Sequence, residues 1–408
     1  MLIAILAFLF TLGLLVFVHE LGHFIVARRA GMAVDEFGFG FPPRLIGFQR
    51  RDGRWRVASR EHDDRAILTP HVPMRRSGSR HEVVGTSRLT PTIYSLNLIP
   101  LGGFVRIRGE DGQSDDPDSF TSKSKSWRAL VLTAGVAMNA LLAVALFVVV
   151  FTVGAPQVIN EISESAHISG RVVSVAGVVA DGPAARIGIA PGDSILAVDG
   201  ATIDRADGIR DAIRASENQP VTLLIDHNGA RREIVVTPAS LPGVDQPAIG
   251  VRLIETGIVS YPFPLSVVEA FRTTGTVAVE IVSSIGAMLR DVIGRRPVAV
   301  DIAGPIGIAV MTGEVVRFGF TSLLQFVAIL SVNLALLNIF PFPALDGGRL
   351  LFLAIESVRG RALRRTVEAA IHAAGFAVLI LLIIAVTVGD VARYGGGVID
   401  SIRSAVRY

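Results

Sequence analysis

The chain contains no cysteine among its 408 residues. It therefore has no disulfide bond, and no thiolate can serve as a metal ligand. Any metal site must use histidine, aspartate or glutamate, and only eight histidines are present. The set of candidate metal ligands is therefore small.

Charged residues are also scarce, at 18% of the chain, and the formal net charge is only +3. A balance so close to neutral gives no case for nucleic-acid binding, and we expect no nucleic-acid partner. By contrast, half of the residues are hydrophobic, only 7% are aromatic, and the mean hydropathy is +0.54. Apolarity supplied mainly by Leu, Ile, Val and Ala is typical of membrane helices.

Four apolar stretches are long enough to cross a bilayer. They are residues 1–27, 129–154, 318–346 (apolar to about 340, then a helix break) and 369–388. The first lacks the basic region that opens a secretory signal, since the first positive charge is Arg28. We therefore expect residues 1–27 to be a retained span.

The distribution of Arg and Lys predicts how these spans are oriented. Basic segments follow the first and third spans, and an acidic one follows the second. Because basic loops stay in the cytoplasm, residues 28–128 and 344–368 should be cytoplasmic. Both termini and the long loop at 155–317 should then be extracytoplasmic.

The pentapeptide at 19–23, His-Glu-Leu-Gly-His, lies inside the first span. Residues four apart share one face of a helix, so His19 and His23 can both reach one cation. Glu20 is placed to take a proton from water that such a cation activates. Ionised groups near the centre of a span cost about 2–3 kcal/mol or more, so the cluster predicts a metal site at membrane depth.

Asp346 is the predicted third ligand. It follows the third span after Pro341 and Pro343, which break the helix, and precedes a glycine pair that permits a tight turn. Spans one and three run in the same direction, so Asp346 should lie on irregular backbone at about the level of the histidines. Two histidines and a carboxylate leave a fourth position open, which is the catalytic zinc arrangement, although iron or cobalt would accept the same ligands.

These motifs resemble the site-2 proteases, which are intramembrane zinc metalloproteases. The resemblance is carried by HExxH at 19–23, N-x-x-P-x-P-x-L-D-G at 338–347, G-x-x-x-N at 135–139 and the segment at 94–105. It implies one catalytic zinc ion and a bacterial multi-pass protein of the inner (plasma) membrane. The resemblance extends to members with a single PDZ domain, of the kind that cleave anti-sigma factors, and it implies that a site-1 type protease acts first. Residues 53–92 depart from the family as an Arg- and His-rich insertion.

Further residues are assigned around the predicted centre. Asn338 could hold the substrate backbone or an oxyanion, or make an interhelical hydrogen bond. Gly135 and Asn139 are interpreted as structural residues near the site. Segments at 37–41 and 94–105 suit a membrane-associated β-hairpin or sheet whose edge pairs with an unwound substrate; within it, the predicted substrate-binding residues are Asn97, Gly102 and Gly103.

Other histidines receive structural interpretations. His62, His71 and His81 are interpreted as solvated loop residues. His372, near the start of the last span, is interpreted as an interfacial or packing residue.

The extracytoplasmic loop should contain one folded module. Residues 168–255 read as an α+β domain, and P-G-D-S-I-L-A-V-D-G at 191–200 resembles the core of a PDZ domain. Such a module could exclude bulky substrates, which we favour, or bind peptide ends. Residues 256–317 should hold an amphipathic helix at about 266–292, lying along the membrane face, and a connecting loop with a turn at 303–308.

The expected fold is thus a polytopic α-helical membrane protein with four spans, a membrane-associated sheet and one extracytoplasmic PDZ-like domain. The expected activity is zinc-dependent hydrolysis of peptide bonds in or near the transmembrane segments of single-span proteins, with an anti-sigma factor as the family-implied substrate and the lipid bilayer as a partner. A catalytically idle, zinc-stabilised scaffold that binds partners through its PDZ domain is the alternative. A metal transporter is disfavoured because the sequence shows neither repeated halves nor a path lined with ligands from several spans.

Overall fold

The structure, a computed structural model, describes residues 2–51, 53–58, 91–110, 116–159, 165–216, 219–227, 229–241, 246–296, 303–361 and 364–406. Most of the predicted insertion at 53–92, including its three histidines, lies outside the described residues. The chain divides into two compact units, one formed by residues 1–146 and 271–408 and the other by residues 147–270.

The first unit begins with an apolar helix and a sheet packed on it. In chain order the elements are α1 (Leu2–Arg29), β1 (Val34–Arg51), β2 (Arg54–Val57), β3 (Ile93–Ile107) and α2 (Lys125–Val153), whose last turns enter the second unit.

The first half of β1 lies between the two halves of β3. Glu36 pairs with Arg106 on one side and with Ile93 on the other. Phe37 from β1 packs on α1, with its ring centroid 5.3 Å from Phe17 and 4.7 Å from Phe24. The sheet is therefore fixed against the helix that carries His19 and His23.

The second unit is a β-rich module with two short helices. Its elements are β4 (Ala155–Val158), β5 (His167–Val178), α3 (Pro183–Arg186), β6 (Ser194–Val198), β7 (Ala201–Thr202), α4 (Ala206–Ala215), β8 (Val221–His227), β9 (Ala230–Val236) and β10 (Val251–Ser260). The antiparallel sheet has the order β4-β10-β5-β6-β8-β9, with β7 beside β6. Its core is aliphatic and includes Val173, Ile195, Ile209 and Leu223, which are all fully buried. The module is larger than the predicted 168–255, because β4 and the end of β10 add to the sheet.

The remaining elements return to the first unit. They are α5 (Phe263–Ile293), α6 (Pro305–Arg317), α7 (Phe320–Ile339), α8 (Asp346–Arg359) and α9 (Arg365–Val406). Three of these elements differ from what the sequence predicted. The turn expected at 303–308 is the start of α6, and Asp346 is the first residue of α8 rather than part of an irregular loop. The last helix continues well past residue 388, where the predicted span ended.

Helix α6 begins where a carboxylate from α9 accepts its free amide groups. Asp390 is 2% exposed. Its Oδ1 accepts the N–H of Gly304 at 3.2 Å, and its Oδ2 accepts that of Gly307 at 2.7 Å. A Cβ at Gly304 would lie 2.7 Å from the carboxylate, so glycine is needed for this approach. The first N–H groups of a helix have no partner within it, and an anion from α9 satisfies two of them here.

Among the described residues, four helices are long and apolar enough to cross a membrane: Leu2–Arg29, Lys125–Val153, Phe320–Ile339 and Thr366–Tyr394. Only 6% of the apolar window of the last one is buried within the protein, although its mean hydropathy is 2.7. Such a surface is unfavourable in water and suits contact with lipid. The predictions of four long apolar helices and of a sheet after the first are confirmed.

Candidate metal centre

The side chains of His19, His23 and Asp346 converge on one point. Oδ2 of Asp346 lies 3.0 Å from Nε2 of His19 and 3.2 Å from Nε2 of His23, and the two Nε2 atoms are 3.1 Å apart. Both histidines are more than nine-tenths buried. The structure thus brings together the three residues that the sequence predicts as ligands.

Local structure explains the convergence. The four-residue spacing in α1 places the two imidazoles on one face of the helix, edge to face, with ring centroids 4.8 Å apart. Asp346 opens α8 directly after the irregular segment at 340–345, and its own helix begins with two buried glycines. A Cβ at Gly348 would lie 3.1 Å from Cα of Pro343 and would overlap the carbonyl of Phe342. Only glycine allows the first turn of α8 to lie this close to the preceding segment.

His23 is held in a defined tautomer. Its Nδ1 lies 2.8 Å from the carbonyl oxygen of Val131 in α2. A carbonyl can only accept, so Nδ1 carries the proton and Nε2 presents its lone pair to Asp346 and His19. Metal-binding histidines commonly donate their other N–H to a carbonyl in this way.

Asn139 gives His19 the corresponding partner. Its amide lies 3.3 Å from Nδ1 of His19, and Ser331 in α7 donates to its backbone carbonyl at 2.8 Å. With Nδ2 facing the ring, the buried Oδ1 has no partner in the described part of the chain. The two ends of an amide are assigned from such networks. Turning the amide lets Oδ1 accept Nδ1–H, which satisfies Oδ1 and leaves Nε2 of His19 with a free lone pair.

Gly135 permits α2 to pass directly behind the two imidazoles. A Cβ at this position would lie 2.6 Å from Cε1 and 2.8 Å from Nε2 of His19, and it would overlap Nε2 of His23. Gly22 in α1 is equally tight, since a Cβ there would lie 2.7 Å from Cγ of Met138. The two glycines allow the helices to approach closely enough to support the histidines from behind.

Glu20 lies beside the ligands and is tied to the sheet. Its Oε2 accepts the N–H of Val105 in β3 at 3.1 Å. In the described residues its other carboxylate oxygen has no hydrogen-bond partner. Because the N–H of Val105 points to Glu20, it points away from β1. Among the described strands, the second half of β3 pairs with β1 on one side only.

The donor set fits a divalent cation. Two neutral imidazoles and an ionised carboxylate bring three lone pairs within 3.2 Å of one another, and the tautomer at His23 leaves its Nε2 without a proton. Such an arrangement is repulsive unless a cation or a shared proton lies among them. Nitrogen and oxygen ligands of this kind suit zinc, and all three ligand atoms lie within 4.8 Å of one another.

The predicted substrate-binding residues lie on α7 and on the sheet, and their role stays a prediction. Asn338 is half-buried near the end of α7, and its side chain makes no hydrogen bond to another described residue. Asn97 is buried, and its amide donates to the carbonyl of Gly40 at 2.9 Å, so it joins strands of the sheet. Gly102 and Gly103 pack on α1, where a Cβ at Gly102 would lie 2.8 Å from Val16.

Ion pairs that the sequence analysis missed fix α8. Arg349, one turn after Asp346, pairs with Glu110, which follows β3. Glu356, also in α8, pairs with Arg128 at the start of α2, with 3.2 Å between its Oε2 and Nη1 of the arginine. The spacing of Arg349 three residues after a candidate ligand was the available signal, but its acidic partner lies 239 residues away in the sequence.

Comparisons with known proteins identify related zinc metalloproteases. The family model described as "Peptidase family M50" matches residues 7–60 and 74–382. The zinc metalloprotease RasP of Geobacillus kaustophilus is 27% identical, with 96% of this chain and 98% of RasP covered. A Clostridium perfringens protein, named as a candidate zinc metalloprotease, is 31% identical, with 92% of this chain and 95% of its own covered.

A likeness to the PDZ domain of an SdrC-like protein from Listeria monocytogenes covers 23% of this chain and 93% of that one, at 21% identity and a TM-score of 0.19. That score decides nothing about the module, whose description rests on its own strands. The family match covers most of the chain, including all three converging ligands and Glu20. The chain therefore belongs to peptidase family M50, the family of the site-2 proteases.

Proposed function

We propose that this protein is an intramembrane zinc endopeptidase that cleaves single-span proteins in or near their transmembrane segments. The observation that carries the proposal is the meeting of His19, His23 and Asp346 beside Glu20, on a helix apolar enough to cross a membrane. The three converging residues would hold one zinc ion. When bound, zinc supplies the Lewis acidity that makes water a nucleophile near neutral pH and polarises a scissile carbonyl.

Glu20 is the proposed proton carrier. Its Oε2 is oriented by the N–H of Val105, which leaves the other oxygen available to accept a proton from water. The same carboxyl group then delivers that proton to the leaving amide nitrogen. Its position next to His19 in the sequence keeps it too close along the helix to serve as a third ligand.

The sheet supplies a place for the substrate backbone. Peptide bonds inside an intact helix are shielded, so a transmembrane substrate must unwind locally before it is cut. The second half of β3 has one free side in the described residues, and its Val105 N–H already contacts Glu20. An unwound segment that pairs along this strand would pass the catalytic carboxylate, and Asn338, Asn97, Gly102 and Gly103 remain the proposed substrate-binding residues.

The membrane arrangement follows from the charge pattern. We place the protein in a bacterial inner (plasma) membrane, with both termini and a PDZ-like module extracytoplasmic and residues 28–128 and 344–368 in the cytoplasm. The names of the relatives support zinc as the metal. An anti-sigma factor, first clipped by a site-1 type protease, is the substrate that the family suggests.

The test is Glu20→Gln in the full-length protein, reconstituted with a single-span substrate. We expect unchanged zinc content and unchanged helicity, with cleavage slowed by about 10²- to 10⁴-fold, because proton transfer is lost while the ligands remain. Glu280→Gln, the same change on the exposed face of α5, is the matched control. Cleavage by Glu20→Gln at the control rate would contradict the proposed role of Glu20. Absence of cleavage in the wild type and in Glu280→Gln as well would favour the non-catalytic scaffold.

A further inference from the structure

The ligand loop, residues 340–345, joins α7 to α8 and ends directly before Asp346. Within it, Phe342 donates to the carbonyl of Phe340 at 2.7 Å, and Leu345 donates to that of Phe342 at 3.1 Å. Ala344 has a φ of +82°, in the left-handed region that residues with a side chain rarely adopt. A residue in such a conformation persists only where its surroundings impose it.

Helix α9 supplies those surroundings. Nδ1 of His372 accepts the N–H of Ala344 at 2.9 Å. The imidazole is itself positioned by Phe352 of α8, with ring centroids 5.1 Å apart. One turn further along α9, Gly375 lets the helix backbone lie against the loop, since a Cβ there would be 2.7 Å from the carbonyl oxygen of Pro343.

We propose that His372 is a positioning residue for the metal centre. Its ring holds the N–H of Ala344, fixes the ligand loop in its left-handed turn, and thereby keeps Asp346 where it meets the two histidines of α1. This inference rests on the proposed function, because it takes His19, His23 and Asp346 as metal ligands.

The role requires a hydrogen-bond acceptor and no acid–base chemistry. Because Nδ1 accepts an N–H, the ring proton of neutral His372 lies on Nε2, which is buried without a partner among the described residues. The Oδ1 of an asparagine lies about as far from the backbone as Nδ1 of a histidine and can accept the same N–H. Leucine has similar bulk at this position and no acceptor, so the pair of variants separates hydrogen bonding from packing.

The experiment compares full-length His372→Leu and His372→Asn in detergent. Zinc affinity is measured by competition with a chelator, and amide exchange of residues 340–345 is followed by mass spectrometry. We expect His372→Leu to bind zinc about 10-fold more weakly or worse, as for other outer-shell partners, and to exchange faster in the loop. His372→Asn should stay near the wild type in both measurements.

Two reference variants complete the design. Thr387→Val removes a hydroxyl that donates to the carbonyl of Ile383 within α9 at 2.7 Å, and it should change neither measurement. Asp346→Asn weakens a proposed ligand and should lower zinc affinity more than His372→Leu does.

The outcomes separate the two claims. If Asp346→Asn loses zinc while His372→Leu retains wild-type affinity, the positioning role is wrong and the metal centre stands. If His372→Leu and His372→Asn lose affinity equally, the acceptor does not matter and the inference is again overturned. If Asp346→Asn binds zinc as the wild type does, the ligand set itself is wrong and both claims fall.

Discussion

Replacing Gly135 by alanine should damage the metal centre without touching a ligand. Two of the atoms that a new Cβ would meet belong to His19, at 2.6 and 2.8 Å, and a third is Nε2 of His23. Carbon atoms are in favourable contact at about 3.5–4.0 Å, so the rings or the helix must shift by about 1 Å. Helix α2 cannot retreat freely, because Ser331 in α7 donates a hydrogen bond to its Asn139 carbonyl.

The expected size of the effect follows from that displacement. A misplacement of about 1 Å near reacting groups can cost about 100-fold in rate, and disturbed outer-shell support commonly costs about 10- to 100-fold in metal affinity. A 10- to 100-fold change corresponds to about 1.4–2.8 kcal/mol. In an open helical position the same substitution would instead favour the helix by roughly 1 kcal/mol. The sign of the effect therefore distinguishes the crowded site from an ordinary helical glycine.

The assay measures zinc affinity by chelator competition and cleavage of a single-span substrate in the same preparation. Gly389→Ala is the control, since it lies in an apolar helix and a Cβ there meets nothing within 4 Å. Circular dichroism of both variants checks that the helices remain. Wild-type zinc affinity together with wild-type cleavage in Gly135→Ala would refute the close approach of α2 to the imidazoles, and with it the proposed centre.

Three other predictions follow from the structure. Asn139→Leu should lower zinc affinity by about 10- to 100-fold and Asn139→Asp by much less, because aspartate keeps an acceptor for Nδ1–H of His19; equal affinity in all three proteins would contradict that role. Burial opposes ionisation of Asp193, but hydrogen bonds from Ala190 N–H (3.0 Å) and His227 (2.5 Å) outweigh it and hold the pKa of this carboxyl below its usual range. A carboxyl whose pKa is lower in the folded state adds stability that is present above about pH 4 and lost as the pH falls further. Protease sensitivity of residues 167–260 should therefore rise below about pH 4 in the wild type and change less with pH in Asp193→Asn. Deleting residues 168–255 should allow cleavage of an unclipped substrate if the module filters by size, whereas unchanged selectivity between clipped and unclipped substrates would exclude that role.

Short-range patterns in the sequence predicted much of the candidate centre. His19 and His23 share a helical face because they are four residues apart, which is a local property. Asp346 required a second step, in which two spans running in the same direction bring its segment to the depth of the histidines. The four apolar helices were equally predictable from the sequence, since the thickness of a bilayer sets the length and composition that a spanning helix needs.

Features that depend on distant partners were not predictable. Nothing near Glu36 signals that its strand pairs with both halves of β3, because the second partner is set by how β3 folds back. His372 resembled a packing residue until the loop at 340–345 was placed against it. The start of α6 was a different case: Pro305 stands at its first turn after Gly304, a known signal for helix starts that the interpretation as a turn overlooked.

The two halves of the metal centre are far apart in the order of synthesis. His19 and Asp346 are separated by 327 residues, and α9, whose His372 contacts the loop before Asp346, comes later still. During translation, His19 and His23 are therefore synthesised almost at once and Asp346 only near the end of the chain. A nascent chain, or a product truncated before residue 346, would lack one of the three proposed ligands. We therefore expect it to be inert, so that unfinished copies of this enzyme would not expose the cell to proteolysis.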